Sequence, residues 1–281
     1  MRTTVSFFQK QKDNQIPITM VTAYDATLGR LAEQAGVQTL LVGDSLGMVV
    51  QGHENTIPVT LDAMIYHTQM VVRGTRKAFV IADMPFMTYN ISSDQALANA
   101  GRLIQETGCQ AVKLEGGERI AATLERLVEN GIPVLAHIGL TPQSVHRYGG
   151  WRVQGKTPAE VQQLLADALA VQAAGAFAVV LELIPAELAA YLTQQLTIPS
   201  IGIGAGAGCS GQVQVMHDIL GLLEDFTPRH ARRYASLAQQ AVSAISTYRH
   251  EVETGVFPAE QHSTPASEDL AQYLYGQQAK P

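Results

Sequence analysis

Cysteine is nearly absent from this chain: two in 281 residues, Cys109 and Cys209, far apart and without paired histidines. That excludes a disulfide framework and a Cys/His zinc cluster, and it fits a reducing cytoplasm. Excess positive charge is also missing. Nineteen Lys and Arg stand against 25 Asp and Glu, a formal net charge of -6, with no basic block. Neither nucleic acid nor an anionic membrane is an expected partner. No apolar run approaches the about 20 residues that a membrane-spanning helix needs. The segment Met1 to Lys12 is polar and mixed, without the apolar centre of a secretory leader. The expected location is therefore cytoplasmic.

What the chain does contain is a repeated alternation. Short runs rich in Val, Ile and Leu occur at Ile18–Thr22, Thr39–Gly43, Phe79–Ala82, Ala111–Leu114, Pro133–Ala136, Ala178–Leu181 and Ser200–Ile203, with a less clear one at Val213–Met216. Most are apolar at consecutive positions, as strands buried on both faces of a parallel sheet are. Longer helical patterns lie between them. Thr157-Pro158-Ala159-Glu160 is a capping box with proline at the first helical position, followed by an apolar stripe from Val161 to Leu169 and a stop at Gly175. Ser92 with Gln95 is a weaker start signal, and Ile120, Leu124, Leu127 and Val128 mark another helix.

Seven or eight βα units suggest a closed (β/α)8 TIM barrel, although a doubly wound open sheet has the same local signature. The stretch from Ile138 to Lys156 lacks periodicity and is expected to be a long loop covering the mouth of the barrel. One further amphipathic helix is expected after Pro228, to about Glu253. The predicted organisation is a single barrel domain with a C-terminal helix over residues 1–254 and a polar tail over 255–281, peripheral or disordered.

The strand ends carry the chemistry. Asp44 and Ser45 follow the second run, Asp83 the third, Glu115 the fourth with Lys113 inside it, His137 the fifth and Glu182 the sixth. In a parallel barrel all these ends open on one face. Taken singly, each has an ordinary explanation: an Asp after a strand is commonly a turn or capping residue, and His137 could be a satisfied core histidine. Taken together, unpaired acids in one mouth would repel, and a metal would relieve that. Asp44, Asp83 and Glu115 are oxygen donors suited to a hard cation such as Mg2+. Such an ion can chelate the carboxylate and keto oxygen of a 2-oxo acid and acidify the neighbouring C–H, giving a metal-stabilised enolate. Lys113 would pair with developing negative charge, and Glu182 would remove the proton.

Rival motifs are weaker. Gly43-Asp44-Ser45-Leu46-Gly47 has the spacing of a nucleophile elbow, but Met48 to Pro58 shows no helical stripe, so Ser45 reads better as a substrate hydrogen-bond donor. Gly202-Ile203-Gly204-Ala205-Gly206 only partly matches a dinucleotide fingerprint and reads better as a tight turn.

Longer segments carry a resemblance. Leu41-Val42-Gly43-Asp44-Ser45-Leu46-Gly47-Met48, Ala82-Asp83-Met84-Pro85-Phe86-Met87, Val112-Lys113-Leu114-Glu115-Gly116-Gly117, His137-Ile138-Gly139-Leu140-Thr141-Pro142-Gln143-Ser144, Val153-Gln154-Gly155 and Glu182-Leu183-Ile184-Pro185 occur in order within residues 3 to 262. In these the chain resembles the ketopantoate hydroxymethyltransferase family. The resemblance implies a (β/α)8 barrel of the phosphoenolpyruvate/pyruvate type. It implies one Mg2+ per subunit on Asp44, Asp83 and Glu115, and a 2-oxo acid held by Asp44, Ser45, Asp83 and Lys113 with His137 in the pocket. Glu182 matches the proton acceptor. The implied reaction transfers a one-carbon unit from 5,10-methylenetetrahydrofolate to 3-methyl-2-oxobutanoate in pantothenate biosynthesis, giving 2-dehydropantoate, in a cytoplasmic homo-oligomer, usually a decamer. Two alternatives stay open. One is an Mg2+-dependent lyase or mutase of a related 2-oxo acid on the same barrel, and the other is a catalytically silent barrel that binds a small anion.

Overall fold

The structure, a computed structural model, describes residues 1–224 and 228–276. Its eight strands are β1 (Ile18–Thr22), β2 (Thr39–Val42), β3 (Phe79–Asp83), β4 (Ala111–Glu115), β5 (Val134–Gly139), β6 (Ala178–Glu182), β7 (Ser200–Ile203) and β8 (Gly211–Gln214). They pair in parallel, each with its sequence neighbours, and β8 returns to β1 to close the barrel. The helices are α1 (Ser6–Asp13), α2 (Ala26–Gln34), α3 (Leu46–Val49), α4 (Leu61–Gly74), α5 (Ser93–Thr107), α6 (Ala121–Glu129), α7 (Val145–Tyr148), α8 (Pro158–Ala173), α9 (Ala186–Gln195), α10 (Met216–Leu220), α11 (Leu237–Glu253) and α12 (Glu268–Gly276). Closure, rather than an open sheet, decides between the two architectures that share this alternation. No helix among the described residues is long and apolar enough to cross a membrane.

The near-continuous apolar runs reflect two cores separated by the sheet. Strand side chains alternate between the barrel interior and the helix-facing side. The interior takes Ile18 and Met20 from β1, Phe79 and Ile81 from β3, Leu135 from β5, and Ala178 and Val180 from β6. The outer layer takes Val80 and Ala82, Val112 and Leu114, Val179 and Leu181, packed on the helices. One end of the interior is plugged from below. Phe8 of α1 is fully buried and packs edge-on against Phe79, ring centroids 5.3 Å apart, and tilted against Phe177 at 4.8 Å. The carboxyl end of the strands is the other end of that interior.

Local signals work as expected at α8, where the Thr157 side chain accepts from the Glu160 backbone and Glu160 reciprocates. Ser92 caps α5 by accepting from Gln95 N. Several expected boundaries need correction. The eighth strand begins two residues earlier than expected, and Met216 opens α10. β8 alternates buried and half-buried residues, so its signal is not a continuous apolar run. The segment from Ile138 to Lys156 is not an unbroken loop: β5 runs on to Gly139, and a 3-10 turn at Pro142–Ser144 leads into the single turn of α7. Ser45 is followed by the short α3, which the sequence does not advertise.

By its contacts the chain falls into two compact units, Met1–Tyr234 and Ala235–Pro281. The first holds the barrel. The second contains α11, a 3-10 turn at Glu260–His262, and α12. The polar stretch beyond residue 254 thus carries a helix that composition gives little reason to expect. Residues 277–281 lie outside the described residues.

Candidate active site

The inward parity of the strands builds the site. On β3 the interior residues Phe79 and Ile81 are followed two positions on by Asp83. On β4 Ala111 is followed by Lys113 and Glu115, on β5 Leu135 by His137, and on β6 Val180 by Glu182. Register brings them side by side: Asp83 pairs with Lys113, and Glu115 with His137. At the next step Gly139 pairs with Glu182. Gly139 has φ +93°, and a β-carbon there would collide with the Glu182 carbonyl, so only glycine fits where the chain leaves β5 beside the acid. Asp83, Lys113, Glu115, His137 and Glu182 are all buried.

Lys113 sits at the centre. Its Nζ is 2.6 Å from Asp83 Oδ1, 3.6 Å from Glu115 Oε1 and 3.3 Å from His137 Nδ1. The Asp83 contact is a close buried ion pair. Glu115 Oε1 is a buried carboxylate oxygen without a hydrogen-bond partner, with Lys113 Nζ and His137 Nδ1 each 3.6 Å away. Such an atom is costly unless a ligand satisfies it. Asp44 lies just past β2, and its backbone N donates to Asp83 Oδ2 at 3.1 Å. Ser45 shares a 2.8 Å hydrogen bond with the Tyr24 hydroxyl, and among the described residues no histidine hydrogen-bonds to it, as a nucleophile elbow would require.

The electrostatics follow from burial. Loss of solvent pushes Asp83 up to about 7, with Lys113 opposing and Asp44 adding to the rise. Asp44 is raised and Glu115 raised well above the carboxylate range, again by burial against the pull of Lys113. The three acids together hold Lys113 above its usual value although burial pulls it down. Burial and the Lys113 charge push His137 well below 6.5, so it is neutral at physiological pH. A neutral His137 whose Nδ1 accepts from Lys113 must carry its proton on Nε2, which lies 3.2 Å from Glu182 Oε2. Glu182 is pushed up to about 7 by burial, the nearby cation of Lys113 and the imidazole of His230 opposing.

Four participants were not singled out by sequence reasoning. Gln143 is buried and binds two of the acids at once. Its Nε2 donates to Asp44 Oδ2 at 2.8 Å and to the Met84 carbonyl at 2.9 Å, while its backbone N donates to Glu115 Oε2 at 3.0 Å. Tyr89 donates to Gln143 Oε1 at 2.7 Å and also meets the Glu115 backbone. Tyr24 supports Ser45, and His230 stands beside Glu182. Gln143 lies in the 3-10 turn after the β5 exit, beyond the reach of the strand-end rule. Tyr89, in the β3–α5 connection, carries no such signal.

Among the described residues no group of three or more His, Cys, Asp or Glu side chains stands ready to enclose a metal ion. Lys113 now occupies the space between the acids. Asp83 and Glu115, which share the Lys113 ammonium, are nonetheless a workable partial set for a hard cation, which completes its shell with water and substrate.

A closed parallel barrel whose interior ends in buried, interacting ionisable groups at the carboxyl face of its strands is the architecture of a barrel enzyme. Residues 2–260 match the family model described as ketopantoate hydroxymethyltransferase. Similar proteins named 3-methyl-2-oxobutanoate hydroxymethyltransferase include one from Chloroflexus aggregans, 60% identical over 94% of each chain. Another, from Dehalococcoides mccartyi, is 54% identical over 94% of each. The chain belongs to the ketopantoate hydroxymethyltransferase family. Solved structures share the barrel at low identity. Phosphoenolpyruvate phosphomutase from Streptomyces platensis subsp. rosaceus is 16% identical with a TM-score of 0.60, covering 98% of this chain and 96% of that one. A phosphonopyruvate hydrolase complex with oxalate and Mg++ is 12% identical with a TM-score of 0.59, covering 98% and 96%. These show the fold.

Proposed function

We propose that this enzyme transfers a hydroxymethyl group from 5,10-methylenetetrahydrofolate to 3-methyl-2-oxobutanoate, giving 2-dehydropantoate for pantothenate biosynthesis. The names of its relatives support the acceptor. The observation that carries the chemistry is a buried carboxylate, Glu182, pushed up to about 7 and flanked by the lysine–acid–histidine cluster. A base with that value is half-ionised near neutrality and can both take and return a proton.

Asp44, Asp83 and Glu115 would hold one Mg2+ per subunit, and the unpartnered Glu115 Oε1 supports that assignment. When bound, the ion supplies Lewis-acid polarisation of the keto group and so acidifies C3. Asp44, Ser45, Asp83, Lys113 and His137 bind the 2-oxo acid. The Lys113 ammonium neutralises charge that builds on the substrate oxygens. Glu182 removes the C3 proton, and the Nε2–H of His137 steadies the carboxylate that does so. Water adds to the folate methylene and both of its C–N bonds break, releasing tetrahydrofolate and formaldehyde. The enolate carbon then bonds to the formaldehyde carbon, and the oxygen of that carbon takes the proton returned by Glu182 to become the hydroxymethyl group. The segment after β5 covers the mouth and limits water while the enolate waits.

Unpaired Cys109 and Cys209 support a cytoplasmic location. Exposed Val242 and Ile245 on α11 support a homo-oligomer, with a decamer as the expected size. The direct test is 2-dehydropantoate formation from 3-methyl-2-oxobutanoate with methylenetetrahydrofolate and Mg2+. Turnover only of another 2-oxo acid, by lysis or rearrangement without folate, favours the lyase or mutase instead.

A further inference from the structure

A cavity of about 450 Å3 lies on the rim of the barrel, within the size range of small-molecule sites. Its wall begins at Gly116, the residue after Glu115, and at Gly139, two residues after His137, so it adjoins the mouth without being part of the acid cluster. Arg119, Arg147 and Tyr148 line one part of it, and the first turns of α8 line another.

The acids of this cavity are held by neutral backbone and amide donors, and among the described residues none of them forms an ion pair with its arginines. Asp167 Oδ1 accepts from Glu118 N at 2.9 Å and from Gln163 Nε2 at 3.2 Å. Glu160 Oε2 accepts from Lys156 N at 2.6 Å and Thr157 N at 3.2 Å. Glu118 Oε2 accepts from Gln163 Nε2 at 3.0 Å. Gly117 is required where Asp167 closes this wall, because any β-carbon there would overlap the Asp167 carboxylate. The cations are not engaged in the same way. Among the described residues the ion pairs include neither Arg119 nor Arg147, and Arg119 makes only a long 3.4 Å contact with Ser144 Oγ. A preformed wall with two uncommitted guanidinium groups and one tyrosine ring suits an aromatic ligand that ends in carboxylates.

We propose that this rim cavity binds the p-aminobenzoyl-glutamate arm of the folate donor, with the glutamate carboxylates on Arg119 and Arg147 and the benzoyl ring against Tyr148. The proposal rests on the folate being the one-carbon donor. Placing the arm on the rim leaves the pterin end, which carries the methylene, to reach over the mouth toward the 2-oxo acid. The chain's one tryptophan, Trp151, lies in sequence between the lining residues Tyr148 and Gln154 and is half exposed, so its emission serves as the binding readout.

The test uses the whole Mg2+-loaded enzyme and the variants Arg119→Ala, Arg147→Ala and the double variant. The Michaelis constant for methylenetetrahydrofolate should rise about tenfold in each single variant and further in the double. Free p-aminobenzoyl-glutamate should perturb Trp151 emission in the wild type and lose affinity in the variants. Exchange of the C3 proton of 3-methyl-2-oxobutanoate without folate should not change, which separates arm binding from a damaged fold. An unchanged folate constant in the double variant overturns the proposal, as does a parallel loss of C3 exchange. If the wild type does not use methylenetetrahydrofolate at all, the donor assignment itself has failed.

Discussion

The side-chain amide of Gln143 donates to Asp44 Oδ2 at 2.8 Å while its own backbone N donates to Glu115 Oε2 at 3.0 Å. One residue of the β5 exit therefore fixes two acids that come from β2 and β4, and Tyr89 fixes the amide in turn. Groups that orient ligating carboxylates commonly change metal affinity by 10- to 100-fold. Gln143→Ala is expected to weaken Mg2+ or Mn2+ binding by about that factor with the fold retained. Calorimetric titration checks this, and unchanged cation affinity would remove Gln143 from the site.

Cation binding should also depend on pH in a definite direction. Burial pushes Asp83 up to about 7 and raises Glu115 as well, so Asp83 carries a proton at mildly acidic pH that a cation must displace. Raising the pH removes that proton and strengthens binding. The rise in Tm on adding Mg2+ is therefore expected to grow from pH 6 to pH 8. A shift that is flat or shrinks across that interval contradicts the assignment of these acids as ligands.

The Glu182 base gives a second pH signature. Only its ionised form accepts a proton, and that fraction falls tenfold per unit below its value of about 7. The rate of C3 exchange should climb with pH up to about 7 and then level off. A rate limb centred near 4.5 would place the proton transfer on a solvated acid instead.

The plug under the barrel is a matter of packing rather than chemistry. Phe8 is fully buried against Phe79 and Phe177. Phe8→Ala should cost about 3–5 kcal/mol of stability through lost burial and the void it leaves. Denaturant unfolding measures it, and a cost below about 1 kcal/mol would mean that α1 does not seal the interior.

The sequence made the strands and their polar ends legible because burial on both faces turns each strand into a short apolar run. Asp83, Glu115 and Glu182 stand out there as the charged residues that end such runs. Lys113 was visible for the same reason, and inward parity makes its position compulsory: it shares the face of Ala111 and Glu115. Gln143 was less visible because it lies beyond Gly139, where the chain has left the strand and period two no longer applies. Tyr89 reaches the site from a connection with no periodicity at all. β8 lies two residues before its apolar run because the half-buried Gln212 and Gln214 interrupt the apolar signal. The helix Glu268–Gly276 is not legible because none of its residues is buried, so no buried face imposes a stripe on a polar tail.

The most direct measurement is deuterium exchange at C3 of 3-methyl-2-oxobutanoate, followed by proton NMR with Mg2+ and without folate, in the wild type and in Glu182→Gln. If Glu182 is the base, the wild type exchanges only with the cation present, and the variant loses about 100-fold or more while still binding the 2-oxo acid. Exchange at the wild-type rate in Glu182→Gln would show that the proton leaves by another route.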